Sequence, residues 1–237
     1  MRLSRIPENL LLRSAPRGKR ALNQLKHVVF DTGDVLWSPG IALPYVMFPL
    51  RGVISLQVWP ANDGKQVDVG VVGPEGFAEV TSLLGADETR LGAVGLTSGE
   101  AVIVEPDQFA TYLGDRQFRD AMQRYVRMFL VMLNQTAVCN RIHVIDKMLI
   151  SRLLLIQDRT HADSFQLTQE FLSRVLGVRK ASISRAAARL QREDAISYDR
   201  QGRLTIVDRR KLEREACSCY HAIKSETNQL IGALGGF

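Results

Sequence analysis

The chain has 237 residues, of which 46% are hydrophobic and 24% charged, as in an ordinary soluble globular protein of one large or two modest domains. Its apolar runs are far shorter than about 18 residues, so we expect no transmembrane helix and no membrane partner. The N-terminal run Leu10-Leu11-Leu12 is also too short for the roughly 7–15 apolar residues of a signal-peptide core. Three cysteines without a disulfide-framework spacing fit a reducing compartment, so we expect a cytoplasmic protein.

The net charge of +6 is unevenly distributed along the chain. Residues 21–115 carry 4 Lys and Arg against 12 Asp and Glu, a net charge of −8. The corresponding counts are 6 against 1 for residues 1–20, 5 against 1 for residues 116–145 and 15 against 10 for residues 146–215. An acidic body joined to a basic second half favours a polyanionic partner for the basic half. A solvated basic surface without a partner is the alternative interpretation.

Short apolar or alternating runs between residues 27 and 105 predict an antiparallel β-domain. Turn signals such as Arg51-Gly52 and Asn62-Asp63-Gly64 lie between or near the runs. The runs are HVVFDTGDVLW, YVMFPLRGVISLQVW, QVDVGVV and EAVIVE. Their spacing is typical of an all-β barrel or sandwich, interrupted only by GFAEVTSLLG, which could form a short helix.

A change of period predicts a long helix from Asp115 to about Asn140. The stretch contains no proline or glycine, and its apolar residues recur at alternating steps of four and three. This is the seam of a helix that packs lengthwise on another helix. The predicted seam residues are Phe118, Met122, Tyr125, Phe129 and Met132. Further apolar residues beside the seam favour one face on the β-domain and another on a second copy of the chain; a core helix under its own β-domain is the alternative.

Residues 167–194 carry the strongest local signal, and they follow a helical pattern at residues 144–158 and a polar connector at 158–163. Thr168 can cap a helix, because its hydroxyl can accept from a free N–H of the first turn. Gly177 can end that helix in a left-handed conformation. A second helix then follows, at the spacing of a helix–turn–helix motif.

The second helix, from about Arg179 to Arg192, has an exposed face suited to DNA. Basic and hydroxyl side chains on one side can bind base edges in the major groove. The alternating residues 196–198 and 204–207, with a turn between them, predict a β-hairpin wing that can meet phosphates. The predicted DNA contacts are Thr168, Gln169, Arg179, Lys180, Ser182, Ser184, Arg185, Arg189, Arg200 and Arg203. A helical hairpin with a solvated basic face is the alternative.

This order of parts resembles the Crp/Fnr family of bacterial transcription regulators, over roughly residues 25–215. The resemblance implies an α+β fold, a homodimer that reads a palindromic DNA site, and RNA polymerase as a candidate partner. The implied divisions are a basic N-terminal segment (1–24), a cyclic-nucleotide-binding-like antiparallel β-roll or jelly roll (25–115), a dimerisation helix (116–142), a winged helix–turn–helix domain (143–215) and a tail (216–237). Arg185 matches the family's base-reading arginine. Lys180 and Ala181 replace an arginine and a glutamate of the relatives best known for sequence reading.

The resemblance also marks an effector pocket in a degenerate form. In the family's cyclic-nucleotide binders, a Gly-Glu pair holds the ribose, and Arg-Ser or Arg-Thr holds the cyclic phosphate. The corresponding residues are Ala78-Glu79 and Arg90-Leu91, which lack the glycine and the hydroxyl. Each lost charge-assisted hydrogen bond costs on the order of 1.5–3 kcal/mol. We therefore expect Glu79 and Arg90 to pair with each other or with the backbone, cyclic AMP not to be the effector, and the effector to be unidentified.

Cysteine and histidine residues supply only weak candidates for a metal. The family's iron–sulfur members need four cysteine ligands, mostly near the N-terminus, whereas the first cysteine here is Cys139, so we expect no iron–sulfur cluster. Cys139 and His143 are four residues apart on a helix, and Cys217, Cys219 and His221 form a second weak group in CSCYH. We predict no metal site, no cofactor and no catalytic residues, because no nucleophile, P-loop or dinucleotide fingerprint is present. A ligand-sensing module whose helical half binds a protein is the alternative to a DNA-binding regulator.

Overall fold

The computed structural model describes residues 9–15, 25–42, 45–59, 66–86 and 88–235. Most of the predicted basic N-terminal segment, and the predicted turn Asn62-Asp63-Gly64, lie outside the described residues. The described part of that segment includes a short 3-10 helix, Leu12–Ser14, whose residue Leu12 is buried. Asn9 fixes this segment to the β-domain, because its side-chain amide donates to the carbonyls of Pro49 and Gly76 at 2.9 and 2.7 Å.

Two antiparallel sheets form the N-terminal domain, as the alternating runs predicted. Their strands are β1 (Lys26–Phe30), β2 (Val35–Trp37), β3 (Val46–Arg51), β4 (Ile54–Val58), β5 (Val67–Val72), β6 (Gly92–Gly95) and β7 (Gly99–Val104). One sheet has the order β1-β7-β3 and the other β2-β6-β4-β5. A 3-10 helix, Val80–Leu84, interrupts the strands within the predicted stretch GFAEVTSLLG. The predicted α+β class with an N-terminal antiparallel β-roll is confirmed.

Strand β6 was not among the predicted runs, because its sequence, GAVG, has two glycines that usually weaken a strand. It lies inside the second sheet, between β2 and β4. A Cβ at Gly95 would stand 2.3 Å from the carbonyl oxygen of Asp31, and one at Gly92 2.8 Å from the ring of Trp59. The close approach of backbone and ring therefore requires both glycines at this position.

The second half of the chain is mainly helical. Its helices are α1 (Pro106–Leu113), α2 (Arg116–Ile142), α3 (Ile145–Thr160), α4 (Gln169–Val175), α5 (Lys180–Arg192), α6 (Arg209–Glu215) and α7 (Ser218–Ala233). A third sheet, with the order β8-β10-β9, is made of Ser164–Gln166, Arg203–Ile206 and Ile196–Tyr198. In the described part of the chain, no helix is both long enough and apolar enough to cross a bilayer.

Helix α2 is as long as predicted, but the structure corrects the position of its seam. Asp115 caps the helix by accepting from the Phe118 N–H at 2.9 Å. All five predicted seam residues are buried within the chain itself, and Tyr125 donates its hydroxyl to the Phe77 carbonyl at 3.0 Å. The seam pattern arose because this face packs on the β-domain of its own chain. Leu130, Val138 and Ile142 are instead the large apolar residues that α2 leaves well exposed.

Helix α3 is longer than predicted and joins the two halves of the molecule. Asp158, Arg159 and Thr160 belong to its last turn and not to a connector. The buried Arg159 guanidinium donates to the buried Glu75 carboxylate at 2.7 Å. A second buried pair joins Arg152 of α3 to Asp68 of β5.

Candidate nucleic-acid interface and effector region

The first helix of the predicted motif, α4, is built by the residues that the sequence indicated. The Thr168 hydroxyl accepts from the Phe171 N–H at 3.1 Å and so caps the helix. Gly177, with a φ of 65°, follows it in the left-handed region. A side chain at Gly177 would be strained by this φ, and its Cβ would also press on Val67 at 3.3 Å. Both local signals for the helix–turn–helix are confirmed.

Helix α5 buries one face and exposes the other, as predicted. Ile183, Ala186, Ala187 and Leu190 are buried, while Lys180, Ala181, Arg185 and Ala188 are exposed. The Ser184 hydroxyl donates to the side-chain oxygen of Gln169 at 2.6 Å and links α5 to α4. Both side chains are half-buried, as is Ser182. Ser184 and Gln169 therefore help to fix the angle between the two helices.

Four predicted DNA contacts are arginines free of partners. Arg179 precedes α5 and Arg185 lies on its exposed face, whereas Arg200 and Arg203 lie at the wing. All four are exposed, and none forms an ion pair or a side-chain hydrogen bond with another described residue. Lys180 differs, because it contacts Glu170 at 3.2 Å in a solvent-exposed pair. Exposed guanidinium groups without local partners remain available to an anion.

Arg189 differs most from the other predicted DNA contacts, because three carboxylates bind its guanidinium. Its guanidinium donates to Asp146 at 2.5 Å, to Glu193 at 2.9 Å and to Glu215 at 2.9 Å. Burial by itself would lower the pKa of Arg189, but the carboxylates of Glu215 and Asp146 outweigh it and raise that pKa. The structure therefore corrects the role predicted for Arg189: its side chain joins α5 to the start of α3 and the end of α6.

The predicted wing forms as the hairpin of β9 and β10. Asp199 organises its turn, because the carboxylate accepts from the N–H groups of Gln201 and Arg203 at 2.8 and 2.9 Å. Gly202 follows with a φ of 80°. The third strand, β8, was not predicted; it pairs with β10 through the register Phe165 to Leu204. Three strands instead of two hold the wing beside α4.

We expected Glu79 and Arg90 to pair with each other or with the backbone, and the structure shows no pair between the two side chains. Glu79 is buried, has a φ of 74° and hydrogen-bonds to the Thr81 hydroxyl, and burial raises the pKa of its carboxyl group. Its Oε2 atom has no hydrogen-bond partner among the described residues. The Arg90 side chain is 75% exposed and contacts Glu88 at 3.8 Å. The two residues do not converge on one anion.

Two buried acidic residues close to Glu79 in sequence, Asp68 and Glu75, form ion pairs between the β-domain and helix α3. Asp68 accepts from Arg152 and, at 2.6 Å, from the Ser55 hydroxyl. Burial raises the pKa of Asp68 to about 6, although Arg152 and Ser55 act in the opposite direction. Glu75 is held by Arg159. These pairs place α3, on which α5 packs, in a fixed position against the β-domain. The sequence offered no signal for either pair, because the partners are 84 residues apart.

A cleft of about 920 Å³ opens between the β-domain, the end of α3 and α7. Its lining carries both signs of charge, including Glu75, Asp158, Arg159, Arg209 and Lys224. Arg209 already binds Asp158 at 2.6 Å and Glu213 at 2.9 Å, and Lys224 binds Glu213 at 2.8 Å. The charges at the cleft are thus largely paired with one another.

Comparison with known proteins agrees with this architecture. Residues 149–215 match the family model of the Crp-like helix–turn–helix domain. No curated protein matches the chain. The match to FixK2 from Bradyrhizobium japonicum has a TM-score of 0.65 at 14% identity and covers 82% of this chain and 98% of that one. The c-di-GMP responsive global regulator CLP from Xanthomonas campestris gives 0.61 at 13% identity, covering 80% and 97%. A CRP-family transcriptional regulator from Thermus thermophilus gives 0.56 at 19% identity, covering 81% and 96%.

The β-roll, the long helix and the winged motif together form the fold that these solved structures share with the chain. Residues 149–215 thus match a Crp-like helix–turn–helix domain, and most of the chain shares its fold with a solved transcriptional regulator of the CRP family.

Proposed function

We propose that the protein binds a palindromic DNA site as a homodimer and regulates transcription there. The observation that carries the proposal is a set of exposed arginines that have no side-chain partner among the described residues, on and beside α5 and on the wing: Arg179, Arg185, Arg200 and Arg203. Arg185 lies where a helix in the major groove presents its side chains to bases, and a guanidinium binds guanine O6 and N7 in a bidentate manner. The wing arginines are suited to phosphates. The Crp-like domain match does not favour a protein-binding role for this half.

The dimer surface that we propose is the exposed side of α2. Leu130 and Val138 are 53% and 43% exposed there, although they lie on a helix that is otherwise well packed. Dimeric helix–turn–helix proteins read half-sites in successive major grooves, about 34 Å apart, so we expect a palindrome with that spacing. A Leu130→Glu variant is expected to shift the protein toward monomer in size-exclusion chromatography with light scattering. Val29→Glu, at an apolar residue of β1 that is 81% exposed, is the control that keeps the parent mass.

We further propose that cyclic AMP does not control the protein. The support is chemical: Arg90 faces solvent beside Glu88, and Glu79 is turned to Thr81, so neither the phosphate nor the ribose of a cyclic nucleotide has its usual partner. Leu91 adds no hydroxyl, and its carbonyl accepts from the indole of Trp37 at 3.0 Å.

The test is selection of bound duplexes from a random DNA pool, followed by affinity measurements over a range of salt concentrations. We expect enrichment of a palindrome and a steep loss of affinity with added salt, because phosphate contacts release counterions. Arg185→Ala should weaken binding to the selected site by about 5–150-fold, the effect of about 1–3 kcal/mol of base discrimination, and non-specific binding much less. Arg116→Ala, which removes the same charge outside the motif, is the matched control. No enriched sequence, or equal affinity of parent and Arg185→Ala, would contradict the proposal.

A further inference from the structure

Four metal-ligating side chains converge where the last helix meets the long one. Cys139 and His143 lie one turn apart at the C-terminal end of α2, and Cys217 and Cys219 stand at the start of α7. The four ligand atoms all lie within 4.8 Å of one another. The three cysteines are free and buried, and His143 is half-buried. His221, the fifth residue of the two weak candidate groups in the sequence, for which we predicted no metal site, is exposed and outside this set.

The spacing of these atoms fits tetrahedral coordination of a single ion. The Sγ atoms of Cys139 and Cys217 are 3.8 Å apart, and Cys219 Sγ is 3.8 Å from His143 Nδ1. Sulfur and nitrogen ligands at about 2.3 and 2.0 Å from a tetrahedral Zn²⁺ stand about 3.5–3.8 Å from one another. Small adjustments of the side chains would therefore bring all four atoms to one centre.

We propose that Cys139, His143, Cys217 and Cys219 bind one Zn²⁺ ion in a closed Cys₃His site. Three thiolates and one imidazole are a ligand set of structural zinc sites, and soft thiolate ligands favour zinc over magnesium or calcium. An iron–sulfur cluster is a poorer fit, because its ligands bind different iron atoms and must stand farther apart than the ligands of one ion. The thiols lose their protons when the ion binds.

A neighbouring side chain supports a thiolate at this place. The Ser151 hydroxyl of α3 lies 3.1 Å from Cys217 Sγ and donates to it when the sulfur is a thiolate. Hydrogen bonds of this kind orient metal ligands and tune their charge. The site thus receives residues from α2, from the connection after it, from α7 and, through Ser151, from α3.

The ion would fasten the C-terminal helix to the junction between the two halves of the molecule. His143 and Val144 are the two residues between α2 and α3, and the Crp-like domain begins within α3, at residue 149. Because two ligands precede this junction and two begin α7, zinc binding closes a loop that contains the whole helix–turn–helix domain. The bound ion would therefore stabilise the docked position of that domain as well as that of α7.

The first experiment measures metal in the parent protein. The full chain, purified without a metal-binding tag and kept reduced, is dialysed against a small excess of Zn²⁺ and then against metal-free buffer. We expect about one zinc per chain by inductively coupled plasma mass spectrometry, and the intense visible absorption of tetrahedral cobalt thiolate after exchange with Co²⁺. Zinc at about 100 times its dissociation constant should raise the melting temperature by about 5–10 °C. Reduced protein that retains no zinc and gives no tetrahedral cobalt spectrum would overturn the proposal.

The second experiment assigns the ligands. His143→Gln and Cys219→Ser each remove one ligand, so zinc affinity should fall by more than the roughly 10–100-fold that follows loss of a supporting hydrogen bond. His221→Gln is the matched control, because His221 is an exposed imidazole two residues from Cys219. Its affinity for zinc and its cobalt spectrum should equal those of the parent. Equal losses in His143→Gln and His221→Gln would contradict the assignment of His143, and parent-like binding by both ligand variants would contradict the site.

Discussion

The sequence indicated a ligand-binding role for two stretches of the chain, residues 73–94 in the β-domain and residues 167–206 in the winged domain. The two stretches differ in whether their charged side chains are exposed or buried. The winged domain leaves Arg179, Arg185, Arg200 and Arg203 exposed and without partners among the described residues. The β-domain stretch buries Glu75 and Glu79, and it turns its one arginine to solvent beside the exposed Glu88. A surface that binds an anion leaves its basic side chains unpaired. A surface that contacts another part of the same protein pairs its charged side chains with those of that part.

The resemblance suggested that the β-domain stretch forms an effector pocket, whereas its residue Glu75 contacts helix α3. Glu75 meets Arg159 of α3, and Asp68, on the strand just before the stretch, meets Arg152 of the same helix. Both pairs are almost completely buried. Buried ion pairs add little stability over apolar packing, but removal of one partner leaves an uncompensated buried charge. The region that a cyclic nucleotide would occupy in relatives is therefore tied to the helix that supports the DNA-binding motif.

The largest expected effect on the free energy of unfolding follows removal of the buried ion pair between Arg159 and Glu75. Arg159→Ala should lower the free energy of unfolding by about 3–5 kcal/mol, because Glu75 is left buried and charged. Urea unfolding followed by circular dichroism measures the change. The double variant Arg159→Ala with Glu75→Ala should recover part of the loss, since no unpaired charge remains. A loss below about 1 kcal/mol in Arg159→Ala would contradict the assignment of this pair as a buried contact between domains.

The next largest effect is expected at Arg189, and it distinguishes this residue from Arg185, one turn away on α5. Arg189→Ala should lower the free energy of unfolding by about 1–2 kcal/mol, because Asp146, Glu193 and Glu215 lose a shared, partly exposed partner. Arg185→Ala should leave stability within about 0.5 kcal/mol of the parent and weaken DNA binding instead. Parallel urea unfolding and DNA titrations of both variants make the comparison. Equal stability losses would contradict the distinction between a structural and a DNA-facing arginine.

The winged motif could be predicted from sequence because its signals are local. Thr168 caps α4 by accepting from the N–H of Phe171, three residues further along the chain, and Gly177 supplies a left-handed turn. Both signals act whatever the rest of the chain does. The face of α2 could not be predicted, because only the position of the β-domain decides that Tyr125 points inward. Likewise, Cys139 and Cys217 are 78 residues apart, and only the docking of α7 on α2 brings them together. Periodicity shows that a helix has an apolar side but not what covers it.

A smaller effect on stability is expected at Thr168, whose helix cap is one of these local signals. Thr168→Ala should lower the free energy of unfolding by about 1 kcal/mol, because the N–H of Phe171 loses its cap. Thr168→Ser keeps the hydroxyl and should stay close to the parent in urea unfolding. If Thr168 also contacts DNA, as predicted from sequence, Thr168→Ala should bind the selected duplex more weakly than Thr168→Ser at a salt concentration where both are folded.

The smallest effect is expected at Arg90, and it sharpens the contrast between the two stretches. Arg90→Ala removes a cation whose contact with Glu88, at 3.8 Å, is open to solvent, so the free energy of unfolding should change by less than about 0.5 kcal/mol. DNA affinity should be unchanged as well, measured by anisotropy in the presence and absence of cyclic AMP. In both parent and variant, cyclic AMP should leave the melting temperature where it was. A stabilisation of the parent that Arg90→Ala abolishes would show instead that this arginine turns inward to hold a cyclic phosphate, and the two stretches would then both be anion sites.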